Sequence, residues 1–483
     1  MAKGPSYLSI LIWLTPIVAS TTYSHFREGP PAKSWTLKYY LMLRIIQCYL
    51  AGPSKLLTLK QIQKASVIRG MPLPKYCTST SIVIPLAYQE QGGKVLQTLF
   101  DEKVNKMIGW EWYKDRYTCN EEYKGIWIQP LNNENSNSKR KTLLYLHGGG
   151  YFLGTYKLYR PLLAKIAKLA NCNILAVDYR LAPQHSFPIA VEDALAAYLY
   201  LLNPPSDSPI QSVSASDIFV AGDSAGGGLT LALLLSIRDS GLPVPAGGIP
   251  ISPWADLTRS LPSCASNQIT DYLPGIFNGW KNDIPVPEDT LLAMDDDDRS
   301  LIDDLVDKGQ LQVYTKNRCL KHYLVSPIFD KYQLHGLPPL LIQTGDAEQL
   351  RDESICSAIK ATGHLNTNPP PLDSTTHHFT YPPTKVTLDL YVDQPHVFQL
   401  LFLGTNLATQ AIQRSVDTMA EFIRDQPSSA SSLTIRLISP DGHSNNVTDD
   451  MIKVHAEVWD DWQNRLEHPS LKERMDKILR HRL

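Results

Sequence analysis

The sequence has no excess of either charge. Its 483 residues include 46 Lys and Arg against 48 Asp and Glu, which gives a formal net charge of −2 at pH 7. Proteins that bind a phosphate backbone use a basic patch that displaces counterions, and this balance supplies no surplus of basic residues for one. We therefore expect no nucleic-acid partner.

Cysteine is sparse as well, with 7 residues in the chain, and no two of them form a Cys-x-x-Cys pair. This spacing argues against a zinc site and against a thioredoxin-like redox site. An odd number at low density predicts mostly free, buried thiols. Free thiols favour a compartment facing the cytosol, although one disulfide remains compatible with the count.

Phosphate-binding glycine motifs are missing too. The run Gly148–Gly150 lacks the further glycine of a dinucleotide loop, because Leu153 stands at that position, and no Gly-Lys-Ser/Thr sequence occurs. We therefore expect no bound nucleotide. We also expect no metal ion, because the pair His377-His378 has no further ligands beside it and the acidic run Asp295–Asp298 lacks the glycine of a calcium loop.

No hydrophobic run is long enough for a comfortable membrane span. The N-terminus comes nearest: Pro5–Ser24 carries no charge and is most apolar at Tyr7–Ala19, but Pro16 interrupts it. Three interpretations stay open, of which we favour a membrane anchor or interfacial helix, for example at the endoplasmic reticulum. The others are a cleaved signal peptide ending near Ala19 and a buried or lid helix, so a secreted or cytoplasmic location stays open.

From residue 141 onwards, short apolar runs alternate with helical patterns. This alternation predicts an α/β fold, with a mostly parallel central sheet and helices on both faces. The strand-like runs are Thr142–Leu146, Ile174–Val177, Ile218–Ala221, Gly248–Ile251, Leu340–Thr344 and Val386–Val392, and the helical runs are Leu158–Leu169, Val191–Leu202, Ala225–Ser240, Ser354–Ala361 and Leu407–Ile423.

These patterns divide the chain into four parts. We predict an apolar N-terminal segment at 1–30, a cap region at 31–140, the α/β domain at 141–425 and a polar C-terminal tail at 426–483. The cap region contains an amphipathic helix at Trp35–Leu50, which either packs on its own domain or contacts a membrane surface or substrate lid. Inside the α/β domain, we interpret Pro262–Lys316 as a solvated insertion.

The strongest local signal is the sequence Gly-Asp-Ser-Ala-Gly at Gly222–Gly226. It follows a predicted strand and begins a predicted helix, which is the context that a nucleophile elbow requires. The turn is sharp, so small residues are needed two positions on either side of Ser224, and both are glycine. The helix N-terminus also favours negative charge beside the hydroxyl. Ser224 is therefore the candidate nucleophile.

A second signal, His147–Gly150, follows the strand at Thr142–Leu146 directly. Acyl transfer passes through an oxyanion, and glycines let backbone N–H groups point into a site without an intervening side chain. We predict the N–H groups of Gly149 and Gly150 as oxyanion donors, with Gly148 close by. The third donor would be the N–H of Ala225, the residue after the nucleophile.

A serine nucleophile needs a base and an acid. On this architecture the base comes last in chain order, and His396 follows the last predicted strand. The acid should lie between Ser224 and His396, just after a strand. Glu348 and Asp346 both meet that condition, since both follow Leu340–Thr344.

These motifs resemble the hormone-sensitive-lipase branch of the α/β-hydrolases, which includes arylacetamide deacetylase and many microbial and fungal esterases. The resemblance covers roughly Lys141–Asp425 and implies an α/β-hydrolase fold, a helical cap formed by N-terminal segments, and ester hydrolysis without a cofactor. It rests on His147–Gly150, Gly222–Gly227, Tyr179–Pro183, Phe187-Pro188, Glu192–Ala194, Ser252–Trp254 and Leu350–Glu353.

The resemblance also separates the two candidate acids. The branch usually has Asp four positions before the residue matched by Asp352, and this chain has Glu348 there. We therefore predict Glu348 as the partner of His396, and Asp346 as a residue that caps the following helix or holds the loop through backbone N–H groups. The resemblance further implies that Arg180 and Asp193 hold the scaffold.

Together these residues predict a serine carboxylic-ester hydrolase that forms an acyl-enzyme. The apolar N-terminus and the family resemblance imply that its substrates are small apolar acyl or acetyl esters. Two alternatives stay open. One is a non-catalytic small-molecule-binding protein on the same scaffold, against which the presence of serine, histidine and acid argues. The other is an amidase or acyltransferase, which would use the same triad.

Overall fold

One mixed sheet forms the centre of the computed structural model, which describes residues 7–51, 63–64, 66, 70–109, 122–131, 140–182, 184–273, 314–365, 381–401, 406–425 and 432–467. Its ten strands have the spatial order β1-β2-β4-β3-β5-β6-β7-β8-β9-β10. They are β1 Cys77–Ile84, β2 Tyr123–Pro130, β3 Thr142–Leu146, β4 Asn173–Val177, β5 Ile218–Asp223, β6 Gly247–Ile251, β7 Leu340–Gly345, β8 Val386–Tyr391, β9 Leu433–Ile438 and β10 Ser444–Asn446.

Strands β3 to β9 pair in parallel, whereas β1, β2 and β10 are antiparallel additions at the two edges. Parallel strands end at the same edge of a sheet, so the loops after β3, β5, β7 and β8 meet there. The predicted site residues all follow one of these four strands. The six strands predicted from residue 141 onwards are all present, with ends that differ by at most one or two residues.

Both faces of the central strands β3 to β8 are buried, which explains their continuous apolar runs. Successive side chains of a strand point to opposite faces. In β3, Leu144 and Leu146 pack into one hydrophobic cluster, while Leu143 and Tyr145 pack into the other. The helices that cover the faces or precede the sheet are α1 Tyr7–Arg27, α2 Leu37–Ala51, α3 Leu86–Leu99, α4 Glu102–Ile108, α5 Arg160–Ala170, α6 Ile189–Leu202, α7 Ala225–Ser240, α8 Ser263–Ser266, α9 Arg351–Thr362, α10 Asn406–Asp425 and α11 Thr448–Glu467.

The N-terminal segment is helical, and α1 packs on α2. Among the described residues, none of the helices combines the length and apolar character needed to cross a bilayer. Helix α2 buries Tyr39 and Leu43 in the cluster that covers one face of the sheet. The amphipathic pattern at Trp35–Leu50 therefore reflects packing against the chain's own α/β domain. Association of the N-terminus with a membrane stays a prediction.

The sheet extends beyond the predicted limits of the α/β domain, 141 and 425. On one side β1 and β2 lie within the predicted cap region, where Ile82 and Ile84 are buried in the core. On the other side β9 continues the parallel ladder of β8, and Trp459 and Trp462 of α11 are buried. The interpretation of 426–483 as a polar tail is therefore wrong for Leu433–Glu467.

The interpretation of Pro262–Lys316 as a solvated insertion also needs correction. Its described beginning, 262–273, packs into the protein, with Ser263, Cys264 and Asp271 almost fully buried. Residues 274–313, including Asp295–Asp298, lie outside the described residues, as do His377 and His378.

The six described cysteines are free thiols, and five of them are buried, as predicted. The seventh, Cys119, lies outside the described residues.

Candidate active site

Ser224 occupies a strained turn between β5 and α7. Its backbone has φ 53° and ψ −121°, a conformation that costs a residue with a side chain about 1–3 kcal/mol. The neighbouring glycines are required because the chain passes close to the end of β3. A Cβ atom on Gly222 would lie 2.4 Å from the Leu146 carbonyl oxygen, and one on Gly226 only 2.0 Å from it.

Glu348 is the carboxylate that the structure places beside His396. Its Oε2 atom lies 3.8 Å from His396 Nδ1, so a closure of somewhat less than 1 Å would form a hydrogen bond. The carboxylate is fully buried and fixed by three donors. Oε1 accepts from the Thr344 hydroxyl at 2.6 Å, and Oε2 accepts from the Ser252 hydroxyl at 2.7 Å and the Gly345 N–H at 3.2 Å.

Asp346, the other candidate acid, turns to a different partner. Its Oδ1 atom accepts the backbone N–H of Asp393 at 2.5 Å, and therefore ties the β7 loop to the loop that carries His396. Burial raises the pKa of the Asp346 carboxyl to about 6. Asp346 thus holds a loop through a backbone N–H group, which is one of the two roles predicted for it.

His396 is buried, and neither ring nitrogen has a hydrogen-bond partner among the described residues. Burial alone lowers the pKa of an imidazole. The Glu348 carboxylate and the charges of Asp271 and Asp223 outweigh this effect and raise the pKa of His396 above its usual value. The surroundings therefore favour the positively charged ring, the form that a general base reaches during acyl transfer.

The glycine loop differs from its prediction at one position. The Gly148 N–H donates to Asp223 Oδ1 and to the Tyr159 hydroxyl, both at 3.0 Å, so the prediction of Gly148 as an oxyanion donor is wrong. Gly149 and Gly150 have φ values of 120° and 62°. In the part of the chain that is described, their N–H groups have no acceptor. The Ala225 N–H lies in the first turn of α7, where backbone donors lack partners within the helix.

Asp223 holds the glycine loop against the elbow. Besides the Gly148 N–H, its fully buried carboxylate accepts hydroxyl hydrogen bonds from Tyr145 and Tyr159, each at 2.9 Å. His147, the first residue of the glycine loop, is held by its ring, which stacks on the Tyr179 ring at 4.4 Å between centroids. The carboxylate of the residue preceding Ser224 therefore holds the glycine loop.

Arg180 and Asp193 form a buried ion pair, in agreement with the implied structural role. The Arg180 guanidinium lies 2.7 Å from Asp193 Oδ1 and 2.8 Å from Glu192 Oε1. The Arg180 backbone N–H also donates to Asp193. This pair fixes the segment after β4 against α6.

Sequence reasoning missed the support provided by Asp223, Ser252 and Asp271. The first two lay inside motifs that were recognised, but no pattern in the sequence shows which atoms their side chains contact. Asp271 lay in the segment interpreted as solvated. The apolar pair Tyr272-Leu273 directly after it was the one local signal of burial.

Comparison with known proteins agrees with the fold described above. Residues 143–292 match a family model described as alpha/beta hydrolase fold. The chain is 34% identical over 228 residues to an acetyl-hydrolase of Streptomyces hygroscopicus, covering 47% of this chain and 62% of that protein. It is 31% identical over 227 residues to an esterase of Acinetobacter venetianus, covering 45% of this chain and 60% of that one.

A solved structure, the crystal structure of an esterase/lipase from an uncultured bacterium, gives a TM-score of 0.51 at 26% identity. The likeness covers 79% of this chain and 98% of that one. These findings confirm the α/β-hydrolase fold and the resemblance to the hormone-sensitive-lipase branch. The chain spans about three fifths of the length of the two relatives named above.

Proposed function

We propose that the protein is a serine carboxylic-ester hydrolase. Ser224 attacks the ester carbonyl carbon, and His396 accepts the serine proton and later gives it to the departing alcohol. Glu348 orients the imidazole and stabilises its charged form. Water, activated by the same histidine, then cleaves the acyl-enzyme and releases the carboxylic acid.

The oxyanion of each tetrahedral intermediate would be stabilised by the N–H groups of Gly149, Gly150 and Ala225. These donors are fixed before the substrate arrives, because the glycine loop is tied to Asp223 and the Ala225 N–H belongs to the rigid start of α7. Donors fixed in this way stabilise developing charge without reorganisation, and one such donor contributes about 10²- to 10³-fold in kcat.

The observation that carries the proposal is the buried pair of Glu348 and His396, in the loops after β7 and β8, on the sheet edge where β5 presents Ser224. A buried carboxylate that faces a histidine with otherwise unpartnered ring nitrogens is arranged for proton transfer. The names of the relatives, esterase and acetyl-hydrolase, support the same reaction class.

The surroundings of the elbow support an apolar acyl or acetyl ester as substrate. The backbone N–H of Trp254 donates to the Ser224 carbonyl at 2.9 Å, which places the backbone of this residue directly beside the proposed nucleophile. Tyr151 follows the glycine loop and stacks on Tyr314 at 3.7 Å between ring centroids. Tyr151 and Tyr314 are buried, and the Trp254 ring, 6.2 Å from Tyr151 between centroids, is partly exposed, so it could provide contact area for an apolar substrate group.

The test is hydrolysis of p-nitrophenyl esters of graded chain length by the full chain, combined with labelling by a fluorophosphonate probe. We expect Ser224→Ala to abolish labelling and to lower kcat about 10⁴- to 10⁶-fold. The matched control is Ser236→Ala, which removes a buried hydroxyl of the same helix that bonds only the Ala232 carbonyl.

An unlabelled wild-type chain would favour the binding-protein alternative. Retained turnover in a folded Ser224→Ala variant would show that another residue is the nucleophile. Labelling without ester hydrolysis would favour amidase or acyltransferase chemistry, which parallel assays with aryl amides and with alcohol acceptors would separate.

A further inference from the structure

The described beginning of the segment after β6, 267–273, packs against the loop that carries Glu348. The Asn267 side-chain amide donates to the carbonyl oxygens of Asp346 and Glu348 at 3.0 and 2.9 Å. The Thr270 hydroxyl donates to the Ala347 carbonyl at 2.8 Å. Three consecutive carbonyl groups of the acid loop are therefore fixed by this segment.

Asp271 is the residue of this segment that reaches both halves of the acid–base pair. Its Oδ2 atom accepts the backbone N–H of Gln349, the residue after Glu348, at 2.7 Å. Its Oδ1 atom accepts the backbone N–H of His396 at 3.2 Å and that of Tyr272 at 2.8 Å. The carboxylate is fully buried, so these N–H groups replace water as its donors.

We propose that Asp271 is a positioning residue, which fixes the separation of the Glu348 and His396 loops and places a second negative charge behind the imidazole. This inference rests on the proposed function, since it assigns Asp271 to the same acid–base pair. It gives the site two carboxylates with distinct tasks: Glu348 faces the ring nitrogen, and Asp271 holds the backbone on either side of the pair.

The charges around His396 make this role measurable. The ring is influenced by the carboxylates of Glu348, Asp271 and Asp223, and the Tyr272 ring lies 6.0 Å away between centroids. The charge of Asp271 contributes to the raised pKa of His396. Burial raises the pKa of Asp271 itself to about 6, so its carboxylate is mainly ionised at neutral pH. Removal of the Asp271 charge should therefore lower the pKa of His396.

The test is the pH dependence of kcat/KM for the variant Asp271→Asn, measured in the full chain on one p-nitrophenyl ester. The amide keeps the shape of the side chain, but it loses the charge and points a donor at one of the backbone N–H groups. We expect a 10- to 100-fold loss of kcat/KM, the size expected when a catalytic group is displaced by about 1 Å. We also expect the acidic limb of the pH profile of kcat/KM to lie at lower pH than in the wild type.

The matched control is Thr270→Val, which removes a contact to the acid loop without touching His396. Its acidic limb should coincide with that of the wild type. An Asp271→Asn limb that also coincides with the wild type would overturn the proposal, whatever the loss of activity, because lost packing alone does not change the charge around the imidazole.

If circular dichroism shows that Asp271→Asn does not fold, Asp271→Glu replaces it. This variant keeps the charge but lengthens the bridge, so kcat should fall while the acidic limb stays in place; an unchanged kcat would overturn the proposal. Failure of the proposed function is distinguishable, because the wild-type chain would then neither hydrolyse the ester nor react with the fluorophosphonate.

Discussion

The nucleophile half of the site and its histidine half are supported by different parts of the chain. In the nucleophile half, the glycine loop and the elbow are held mainly by residues of the same motifs or their flanks. Asp223, next to Ser224, accepts the Gly148 N–H and is itself fixed by Tyr145 and Tyr159. This half is therefore held by residues in or near the recognised motifs, although Tyr145 and Asp223 are 78 residues apart in the chain.

The histidine half depends on residues far away in the sequence. The Ser34 N–H donates to Asp393 Oδ2 at 2.8 Å, and the Trp35 indole N–H donates to the Asp393 carbonyl at 2.6 Å. The Tyr39 hydroxyl contacts Gln394 Oε1 at 3.3 Å. The N-terminal segment thus holds the loop that leads to His396.

This difference shows that a family motif marks the reacting groups of a site but not all of its support. Variants of the nucleophile half should lose activity through residues in or near the recognised motifs, such as Tyr145 and Tyr159. Variants of the histidine half should lose activity through side chains outside the motifs, such as Trp35. Three pairs of variants and one truncation test this contrast, in order of decreasing expected effect.

The largest effect is expected at the acid. Glu348→Gln should lower kcat/KM by as much as ~10⁴-fold, because an amide cannot stabilise the charged imidazole. Asp346→Asn should cost far less, since its carboxylate holds the backbone N–H of Asp393 rather than the histidine ring. Steady-state kinetics on one ester, with circular dichroism as the folding control, decides. A larger loss for Asp346→Asn would exchange the roles.

The nucleophile half is tested by two tyrosines that contact the same carboxylate. Tyr159→Phe removes a hydroxyl that donates to Asp223 and accepts the Gly148 N–H, so the glycine loop should shift. We expect a loss of kcat of about 10-fold or more. Tyr145→Phe removes a bond to Asp223 alone and should cost clearly less. Equal losses in kcat would mean that the hydroxyl of Tyr159 does not position the loop.

The histidine half is tested by Trp35→Phe, which removes the indole N–H bond to Asp393 and leaves an aromatic ring in place. We expect a few-fold loss of kcat, because the loop before His396 gains freedom. The control is Trp459→Phe, since Trp459 is similarly buried and its indole nitrogen has no partner among the described residues. That change should lower the melting temperature without altering kcat.

The smallest effect on catalysis is expected from removal of α1. A chain beginning at Gly29 keeps Ser34, Trp35 and Tyr39, so its kcat/KM on a soluble ester should stay within about twofold of the full chain. A smaller fraction of the shortened chain should bind to lipid vesicles, because we predict that the N-terminal stretch associates with membranes. Cosedimentation of both chains with lipid vesicles is the measurement. Equal partition would contradict the anchor and favour a helix of the cap.

The contrast also explains how far the sequence could predict the structure. Strands β3 to β8 were recognisable because both of their faces are buried, which leaves a continuous apolar run. Strand β1 was not, since the segment Cys77–Ile84 buries only three of its eight residues. Strand β9 follows a serine-rich stretch and begins a polar region, so its pairing with β8 is fixed by tertiary packing and not by a local pattern.

At the site, motif and chain order identified Ser224, Gly149, Gly150, Ala225, Glu348 and His396 as candidates. The error at Gly148 arose because a glycine-rich loop shows where backbone donors are exposed, but not which of them a nearby carboxylate already binds. Asp271 was missed for a related reason. A buried carboxylate that accepts backbone N–H groups has no spacing rule, since its partners lie 78 and 125 residues away.

The strained backbone at Ser224 has a consequence for the evolution of the protein. A positive φ on a residue with a side chain weakens the native state, and glycine adopts it without that penalty. Replacement of Ser224 by glycine should therefore relieve about 1–3 kcal/mol of strain, offset by roughly 0.5–1 kcal/mol of additional unfolded-state entropy. On this estimate, the variant without the proposed nucleophile equals or exceeds the wild type in stability. Such a stability–activity trade-off would mean that the serine persists against selection for a more stable fold.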